Sequence, residues 1–181
     1  MLSTTIGDAE LRALEPWQAA DLAAFTERHR AHLRPWLPWA VSIVDEDTAN
    51  GFLQRYADAT ARDGGRIYAL WRDDEMVGGA LFRVFEPQTR TCEIGVWLAP
   101  DATGRGLVGR TVEAMIAWAV DVRGMRRIEW QCVPENEPSR AVARRLGFTH
   151  EGTLREAFEH EGRLWDVEVW ALLAAERGLQ A

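Results

Sequence analysis

The stretch that decides the fold is residues 91–111, which read TCEIGVWLAPDATGRGLVGRT. Residues 91–98 predict a β-strand, because they are rich in strand-forming residues and end at a Pro- and Gly-containing loop. That loop contains Gly104, Gly106 and Gly109, and a helical spacing of apolar residues begins at Leu107. Glycines let backbone N–H groups approach a ligand, and the first turn of a helix carries partial positive charge. The stretch therefore predicts a strand–loop–helix unit that binds phosphate or pyrophosphate.

Three phosphate ligands fit this loop to different degrees. Gly104 to Thr111 has the spacing of a nucleoside-triphosphate loop, but Arg110 replaces the lysine whose compact charge that loop uses. The same glycines match a dinucleotide fingerprint, which is weak evidence alone and disagrees with the predicted strand order. Coenzyme A is the third ligand. A glycine-rich turn without any ligand is the simplest alternative.

The elements on both sides of this unit predict a mixed sheet in a single domain, residues 1–181. Consecutive strands imply antiparallel pairing, and the strand–helix–strand unit of residues 91–133 implies one parallel pair. Strands are predicted over 9–14, 66–72, 76–85, 91–98, 127–133, 148–157 and 163–172, and helices after Pro16, from Asp45 or Asp47, and over 107–122 and 136–146.

Composition excludes several classes of function. The net charge of −7 argues against a general binder of nucleic acid or anionic membranes. All 21 basic residues are arginine, so no Schiff-base or phosphate-loop lysine exists. Neither a signal-like N-terminus nor a membrane-length apolar window is present, which predicts a cytoplasmic protein. Cys92 and Cys132 are predicted to be buried thiols, and His29 and His32 to lie on an ordinary helix face without a metal.

Ordered motifs along roughly residues 8–175 resemble the GNAT acyltransferase superfamily. Residues 102–107, ATGRGL, resemble its pyrophosphate loop, although the usual Gln or Arg at the start of that pattern is not obvious. In residues 133–148, VPENEPSRAVARRLGF, the matching positions are Asn136, Ser139, Gly147 and Phe148. Residues 34–39, RPWLPW, resemble a turn of the RimJ/RimL branch, which acetylates protein N-termini.

The resemblance implies the GNAT fold, an α/β (α+β) architecture. Its central sheet is mixed and mostly antiparallel, with a splayed parallel strand pair and helices on both faces. The implied activity is N-acetyl transfer, in which an amine attacks bound acetyl-CoA directly in a ternary complex. The implied acceptor is a protein N-terminal α-amine or a small-molecule amine, and a homodimer is implied by resemblance only. Three alternatives stay open: a longer donor such as succinyl-CoA, a CoA-binding sensor with weak catalysis, and a nucleotide-dependent phosphotransferase.

The same resemblance assigns catalytic roles. Glu93 is the candidate base, acting directly or through a water, and an arginine-paired strand glutamate is the alternative. Ser139 is the candidate acid or hydrogen-bond donor to the leaving thiolate, because Ala143 stands where many relatives have a tyrosine. Asn136 is expected to bond the pantetheine arm. For Ser139 and Asn136 the alternative is a helix-capping or packing role.

The remaining candidates bind ligands. The cofactor would be held by backbone around the strand end and by the glycine loop, with these residues: Val96, Trp97, Leu98, Gly104, Arg105, Gly106, Leu107, Val108, Gly109 and Arg110. The acceptor would meet a rigid wall, because prolines pre-set the backbone that carries the aromatic rings. That wall consists of His32, Arg34, Trp36 and Trp39. Its alternative is a hydrophobic plug between two helices.

Overall fold

The computed structural model describes residues 3–177, so residues 1–2 and 178–181 of the predicted domain lie outside the described part. The centre of the fold is an eight-stranded sheet in the order β1-β2-β3-β4-β5-β6-β8-β7. Its strands are β1 Thr4–Ile6, β2 Ala9–Ala13, β3 Arg66–Arg72, β4 Glu75–Glu86, β5 Thr91–Leu98, β6 Arg127–Cys132, β7 Thr149–His160 and β8 Arg163–Leu173. Within the described residues only β5 and β6 run parallel, and all other neighbouring strands run antiparallel.

The helices connect these strands. They are α1 Ala19–Leu33, α2 Trp39–Ser42, α3 Glu46–Ala61, α4 Leu107–Ala117 and α5 Glu137–Arg145. Asp45 caps α3, since its carboxylate accepts a hydrogen bond from the Thr48 backbone N–H. The predicted helix over 107–122 is α4 followed by one π-helical turn, Trp118–Val122.

Helices cover both faces of the sheet, as predicted. Phe82 pairs with Ile94 across the sheet, and its ring lies 5.6 Å from that of Trp118, directly after α4. The Trp97 ring lies 5.1 Å from that of Trp39, at the start of α2. Ile94 and Trp97 are separated by an odd number of positions on β5, so their side chains point to opposite faces. Thus α2 and α4 lie on different sides of the strand that leads to the glycine loop.

A β-bulge interrupts the pairing of β4 with β5. Phe82 pairs with Ile94 and Val84 with Glu93, which leaves Arg83 as the extra residue on β4. A bulge of this kind redirects the side chains that follow it. As a result Phe85, like Phe82, packs against Trp118, at a ring distance of 5.7 Å. Arg83 is directed to the other face, where its guanidinium meets Glu93.

The parallel pair is splayed, as predicted. Pairing of β5 with β6 begins at Thr91 and Arg127 and ends at Glu93 and Glu129. Beyond Glu93, β5 continues to Leu98 while β6 continues to Cys132, without further pairing between them. A gap therefore opens in the sheet directly above Glu93.

Two further sequence predictions concern buried thiols and membrane segments. Cys92 and Cys132 are both free and buried, which confirms the first. No helix within residues 3–177 combines the length and apolar character that a membrane crossing requires.

Candidate active site

The glycine loop joins β5 to α4 at the wide end of the gap. Gly104 and Gly106 have φ angles of +77° and +70°, in the left-handed region that other residues adopt only with strain. Gly106 is the N-cap of α4, so the N–H groups of the first helical turn follow it directly. A Cβ added to Gly104 would meet no atom within 4 Å, so the space above the loop is open. These features fit a phosphate group at the N-terminus of α4.

The two arginines of the loop have different surroundings. Arg105 is exposed and forms a 3.2 Å ion pair with Asp8, in the turn between β1 and β2. Arg110 Nη2 donates a 2.7 Å hydrogen bond to the Arg105 carbonyl oxygen. A side chain on Gly7 would collide with the Arg110 guanidinium, so the β1–β2 turn packs closely on this arginine. Arg105 is thus directed outward, while Arg110 holds the loop together.

The other residues predicted to hold the cofactor line both sides of the loop. Val96, Trp97 and Leu98 form the end of β5, where that strand has no pairing with β6. Trp97 and Leu98 are buried, so only their backbone is available on that edge. In α4, Leu107 is buried in the core, Val108 is half-buried and packs on it, and Gly109 has no atom within 4 Å of an added Cβ.

Glu93 lies at the base of the gap and is 6% exposed. Its two carboxylate oxygens accept hydrogen bonds from Nε and Nη2 of Arg83. Burial raises the pKa of Glu93 above its ordinary value, and the hydrogen bonds and charge of Arg83 oppose part of that rise. The residue is therefore paired with arginine, and its pKa is displaced in the direction that suits a general base.

Asn136 and Ser139 lie at the start of α5. The Asn136 side chain caps this helix, since its Oδ1 accepts a 3.2 Å hydrogen bond from the Ser139 backbone N–H. Ser139 Oγ accepts a 2.9 Å hydrogen bond from Trp130 Nε1. That bond uses an acceptor site of the hydroxyl, so Ser139 still has its proton to donate, and the Cys132 sulfur is one acceptor within its reach. Cys132 lies beside it, and burial raises the pKa of that thiol to about 11, with the Ser139 hydrogen bond acting in the opposite direction.

The two candidate catalytic side chains lie on opposite faces of the sheet. Glu93 and Trp97 are on the same face of β5, because they are an even number of positions apart. Cys92, next to Glu93, points to the other face, and it pairs with Ile128 of β6. Trp130 is two positions beyond Ile128 and so lies on that other face, where it binds Ser139. The gap between β5 and β6 is the passage that joins the two faces, with a carboxylate on one side and a hydroxyl on the other.

The aromatic turn, residues 34–39, follows α1 and lies on the same face of the sheet as Glu93. Trp39 packs against Trp97 and against Phe52 of α3, at ring distances of 5.1 Å and 5.9 Å. Trp36 is half-buried and His32 is exposed. Trp39 thus has the packing contacts of a plug, whereas Trp36 and His32 remain accessible.

The turn between β7 and β8 closes over the end of α1. Arg34 Nε donates a 2.7 Å hydrogen bond to Glu161 Oε1, and His160 Nε2 donates a 2.6 Å hydrogen bond to the Arg34 carbonyl oxygen. His160 is buried, so the contact is part of the packing and not only a surface ion pair. These contacts fix the aromatic turn relative to the closing hairpin, which consists of β7 and β8.

Sequence reasoning missed four residues of this region: Asp8, Arg83, His160 and Glu161. Three of them meet their partners through contacts between distant parts of the chain, for which the sequence has no local signal. The sequence did contain a local signal for the bulge at Arg83, because Phe82 and Phe85 are three positions apart within one strand. Two aromatic core residues at that odd spacing indicate a bulge between them.

A metal is not supported by the side-chain arrangement. Over residues 3–177 no three His, Cys, Asp or Glu side chains are grouped so that they would hold a metal ion. The donor set at the gap consists of a carboxylate, a hydroxyl and backbone amides, which suits proton transfer and hydrogen bonding.

Comparisons with known proteins extend the similarity well beyond the glycine loop. Residues 12–149 match the family model described as an acetyltransferase (GNAT) domain. The ribosomal-protein-serine acetyltransferase of Escherichia coli (strain K12) is 26% identical over 162 residues, covering 90% of each chain. The uncharacterized N-acetyltransferase p20 of Bacillus licheniformis is 33% identical over 136 residues, covering 74% of this chain and 76% of that protein.

A solved structure shows the same correspondence in three dimensions. It is RimL, a ribosomal L7/L12 alpha-N-protein acetyltransferase, in complex with coenzyme A. It superposes with a TM-score of 0.89 at 25% sequence identity, covering 95% of this chain and 98% of that one. The similarity therefore extends over nearly the whole chain and is not confined to the glycine loop.

Proposed function

This chain belongs to the GNAT acetyltransferase family, and we propose that it acetylates the N-terminal α-amine of a protein. The predicted resemblance to that family is confirmed, and with it the general reaction, acetyl transfer from acetyl-CoA to an amine. Family membership favours coenzyme A over a nucleotide at the glycine loop. The identity of the acceptor and the roles of individual residues belong to the proposal.

One observation carries the proposed mechanism: Glu93 and Ser139 lie on opposite sides of the gap between β5 and β6. A thioester in that gap would present its carbonyl carbon toward the Glu93 face and its sulfur toward Ser139. The left-handed glycines and the first turn of α4 would hold the pyrophosphate, with Arg105 adding positive charge. The unpaired backbone edge of residues 96–98 would bind the pantetheine arm.

In the proposed mechanism Glu93 supplies the proton acceptor. An α-amine has an ordinary pKa near ~8, so only modest help is needed to make it neutral at neutral pH. A buried carboxylate with a raised pKa provides that help, directly or through one water. The neutral amine then attacks the carbonyl carbon of acetyl-CoA, and no acyl-enzyme forms.

Ser139 is proposed to assist the leaving group. Because Trp130 donates to its oxygen, the Ser139 hydroxyl has its own proton to donate, and the departing thiolate would accept it in place of the neighbouring Cys132 sulfur. Ala143 is fully buried, so no side chain at that position reaches the site in place of a tyrosine. Asn136 supports this arrangement by capping the helix that carries Ser139.

A protein N-terminus is the favoured acceptor because of the names of the relatives. The Escherichia coli relative is named for ribosomal protein serine, and the RimL structure for the L7/L12 α-amine. Both match over at least nine-tenths of this chain, including the aromatic turn. A ribosomal acceptor would also place the protein in the cytoplasm. A small-molecule amine is the second candidate, and the net charge of −7 gives cationic acceptors of either kind a weak electrostatic advantage.

The experiment that tests the proposal measures release of the free CoA thiol from acetyl-CoA. Peptides with the N-terminal sequences of ribosomal proteins are compared with the same peptides blocked at the α-amine and with a panel of small amines. Mass spectrometry then locates the acetyl group, and succinyl-CoA serves as a second donor. Turnover that requires a free peptide α-amine supports the proposal, whereas turnover only with small amines moves the function to metabolite modification. Tight CoA binding without turnover would favour a sensor.

A further inference from the structure

Arg83 occupies an unusual place beside the gap. It is the bulged residue of β4, so Arg83 and the next residue, Val84, both lie on the face of Glu93 instead of alternating. Its side chain is 54% exposed, whereas that of Glu93 is only 7% exposed. The bulge thus places an exposed cation beside a buried carboxylate at the base of the gap, and bulges are over-represented next to active sites.

The hydrogen bonds of Arg83 span three strands. Nε and Nη2 bind the carboxylate of Glu93 on β5, and Nη2 also lies 3.4 Å from Gln131 Oε1 on β6. Glu93 is the last residue of β5 that pairs with β6, and Gln131 is two positions beyond Glu129, the last residue of β6 that pairs with β5. The guanidinium therefore bridges the two sides of the gap where it opens.

One edge of this guanidinium is unused. Arginine has five N–H donors in a fixed plane, and the contacts with Glu93 and Gln131 occupy Nε and Nη2. Within residues 3–177, Nη1 makes no hydrogen bond. A charged donor is thus held next to the candidate base, on a side chain that is half-exposed.

We propose that Arg83 is a specificity-determining residue, which holds Glu93 with one edge and donates from Nη1 to the carbonyl oxygen adjacent to the acceptor amine. The inference rests on the proposed function. An N-terminal residue has its amine and its first carbonyl on the same carbon. Such a residue can make both contacts at once, since its amine would meet the Glu93 carboxylate while its carbonyl oxygen accepts a hydrogen bond from Arg83. A simple alkylamine offers only the first of these contacts.

A purely structural role for Arg83 makes a different prediction. If the arginine only neutralises a buried carboxylate, its replacement perturbs the base, which costs at least as much with a simple alkylamine, the more basic acceptor, as with an α-amine beside a carbonyl. If it also contacts the carbonyl, its replacement costs more with acceptors that have one. Only the contact with the carbonyl lowers the preference for acceptors that have one, so the ratio of the two acceptors in the same variant separates the two roles.

The test uses alaninamide and isopropylamine, which differ in having a carboxamide or a methyl group on the carbon next to the amine. We would measure kcat/KM for both with the wild type, R83K and R83M, alongside an alanine-initiated tripeptide. R83K keeps a positive charge beside Glu93 but lacks the planar fork, so the ion pair and the fold persist. R62K is the matched control, since Arg62 is an exposed arginine at the end of α3.

We expect the wild type to prefer alaninamide, and R83K and R83M to lose about tenfold of that preference, which is the usual effect of one charged hydrogen bond. R62K should keep the wild-type ratio. An unchanged ratio in both Arg83 variants, with normal turnover of the tripeptide by the wild type, would overturn the role of Arg83 and leave the proposed function standing. Absence of wild-type turnover with every α-amine would instead overturn the proposed function itself.

Discussion

Trp130 and Ser139 are joined by a 2.9 Å hydrogen bond from the indole Nε1 to the serine Oγ, which links the end of β6 to the first turn of α5. The bond fixes the serine oxygen and leaves its proton available. We expect S139A to lower kcat about 10²-fold, because the leaving thiolate loses its donor. The free energy of unfolding should fall by only about 1–3 kcal/mol, because Trp130 Nε1 is left without its partner.

The matched control for S139A is W130F, which removes the indole donor but keeps the serine hydroxyl. Both variants should lose stability in thermal unfolding, and only S139A should lose most of its turnover. Equal losses of kcat in the two variants would mean that the lost Trp130–Ser139 contact, and not the lost serine proton, lowers the rate.

Glu93 is the subject of the second prediction. E93Q keeps a side chain of the same shape but cannot take a proton, so kcat should fall by about 10²-fold or more. The CoA dissociation constant, measured by calorimetry, should change little, because Glu93 lies below the gap and not in the glycine loop.

The pH profile gives the same residue a separate test. Because burial raises the pKa of Glu93, activity should decline on the acid side as pH falls through that raised pKa, above the range of an exposed glutamate. Below it the carboxyl is protonated and accepts no proton from the amine. The variant E93Q should lack this acidic limb. A wild-type limb that persists unchanged in E93Q would assign the titration to another group.

The role of the glycine loop can be tested with a substitution at Gly106 and a matched control at Gly124. Gly106 and Gly124 are both exposed and both have left-handed φ angles, +70° and +67°. A tryptophan at either position costs similar backbone strain, on the order of 1–2 kcal/mol. Only G106W places a large side chain at the N-terminus of α4, so only it should abolish CoA binding. If G124W weakened CoA binding as much as G106W, general destabilisation would explain both.

Much of the fold is predictable from the sequence because strand periodicity is local. The strands predicted over residues 66–72 and 91–98 have the same bounds as β3 and β5. Each is an apolar run that ends in turn residues. The strand β1, Thr4–Ile6, was not predicted, because three residues are too few to establish a period. The π-helical turn after α4 was also missed, since its residues continue the helical spacing of apolar side chains.

The candidate site is less predictable because it depends on register. Motif spacing places Glu93 on a strand and Ser139 on a helix, but the faces they occupy follow from the pairing of Cys92 with Ile128. The contact of Arg34 with Glu161 joins residues 127 positions apart. No local pattern encodes such a contact, since it forms only after the hairpin and α1 have packed on the same side of the sheet.

The two cysteines should be inert in the folded protein. Burial raises the pKa of Cys92 to about 12 and that of Cys132 to about 11, so almost no thiolate exists near neutral pH. A chromogenic disulfide reagent at about pH 8 should therefore label neither thiol in the native state and both in denaturant. Rapid labelling of Cys132 in the native protein would show that the end of β6 opens in solution.

The two tryptophans of the aromatic turn should have different roles, Trp39 in stability and Trp36 in binding the acceptor. Trp39 packs against Trp97 and Phe52, so W39A should cost about 3 kcal/mol of unfolding free energy. Trp36 is half-buried in the same turn, so W36A should cost about 1 kcal/mol or less and, if Trp36 contacts the acceptor, raise KM for a peptide severalfold. Thermal unfolding and steady-state kinetics on the two variants test this division. A W36A enzyme with an unchanged KM for every active acceptor would remove Trp36 from the acceptor wall and leave the turn as a plug between α1 and α3.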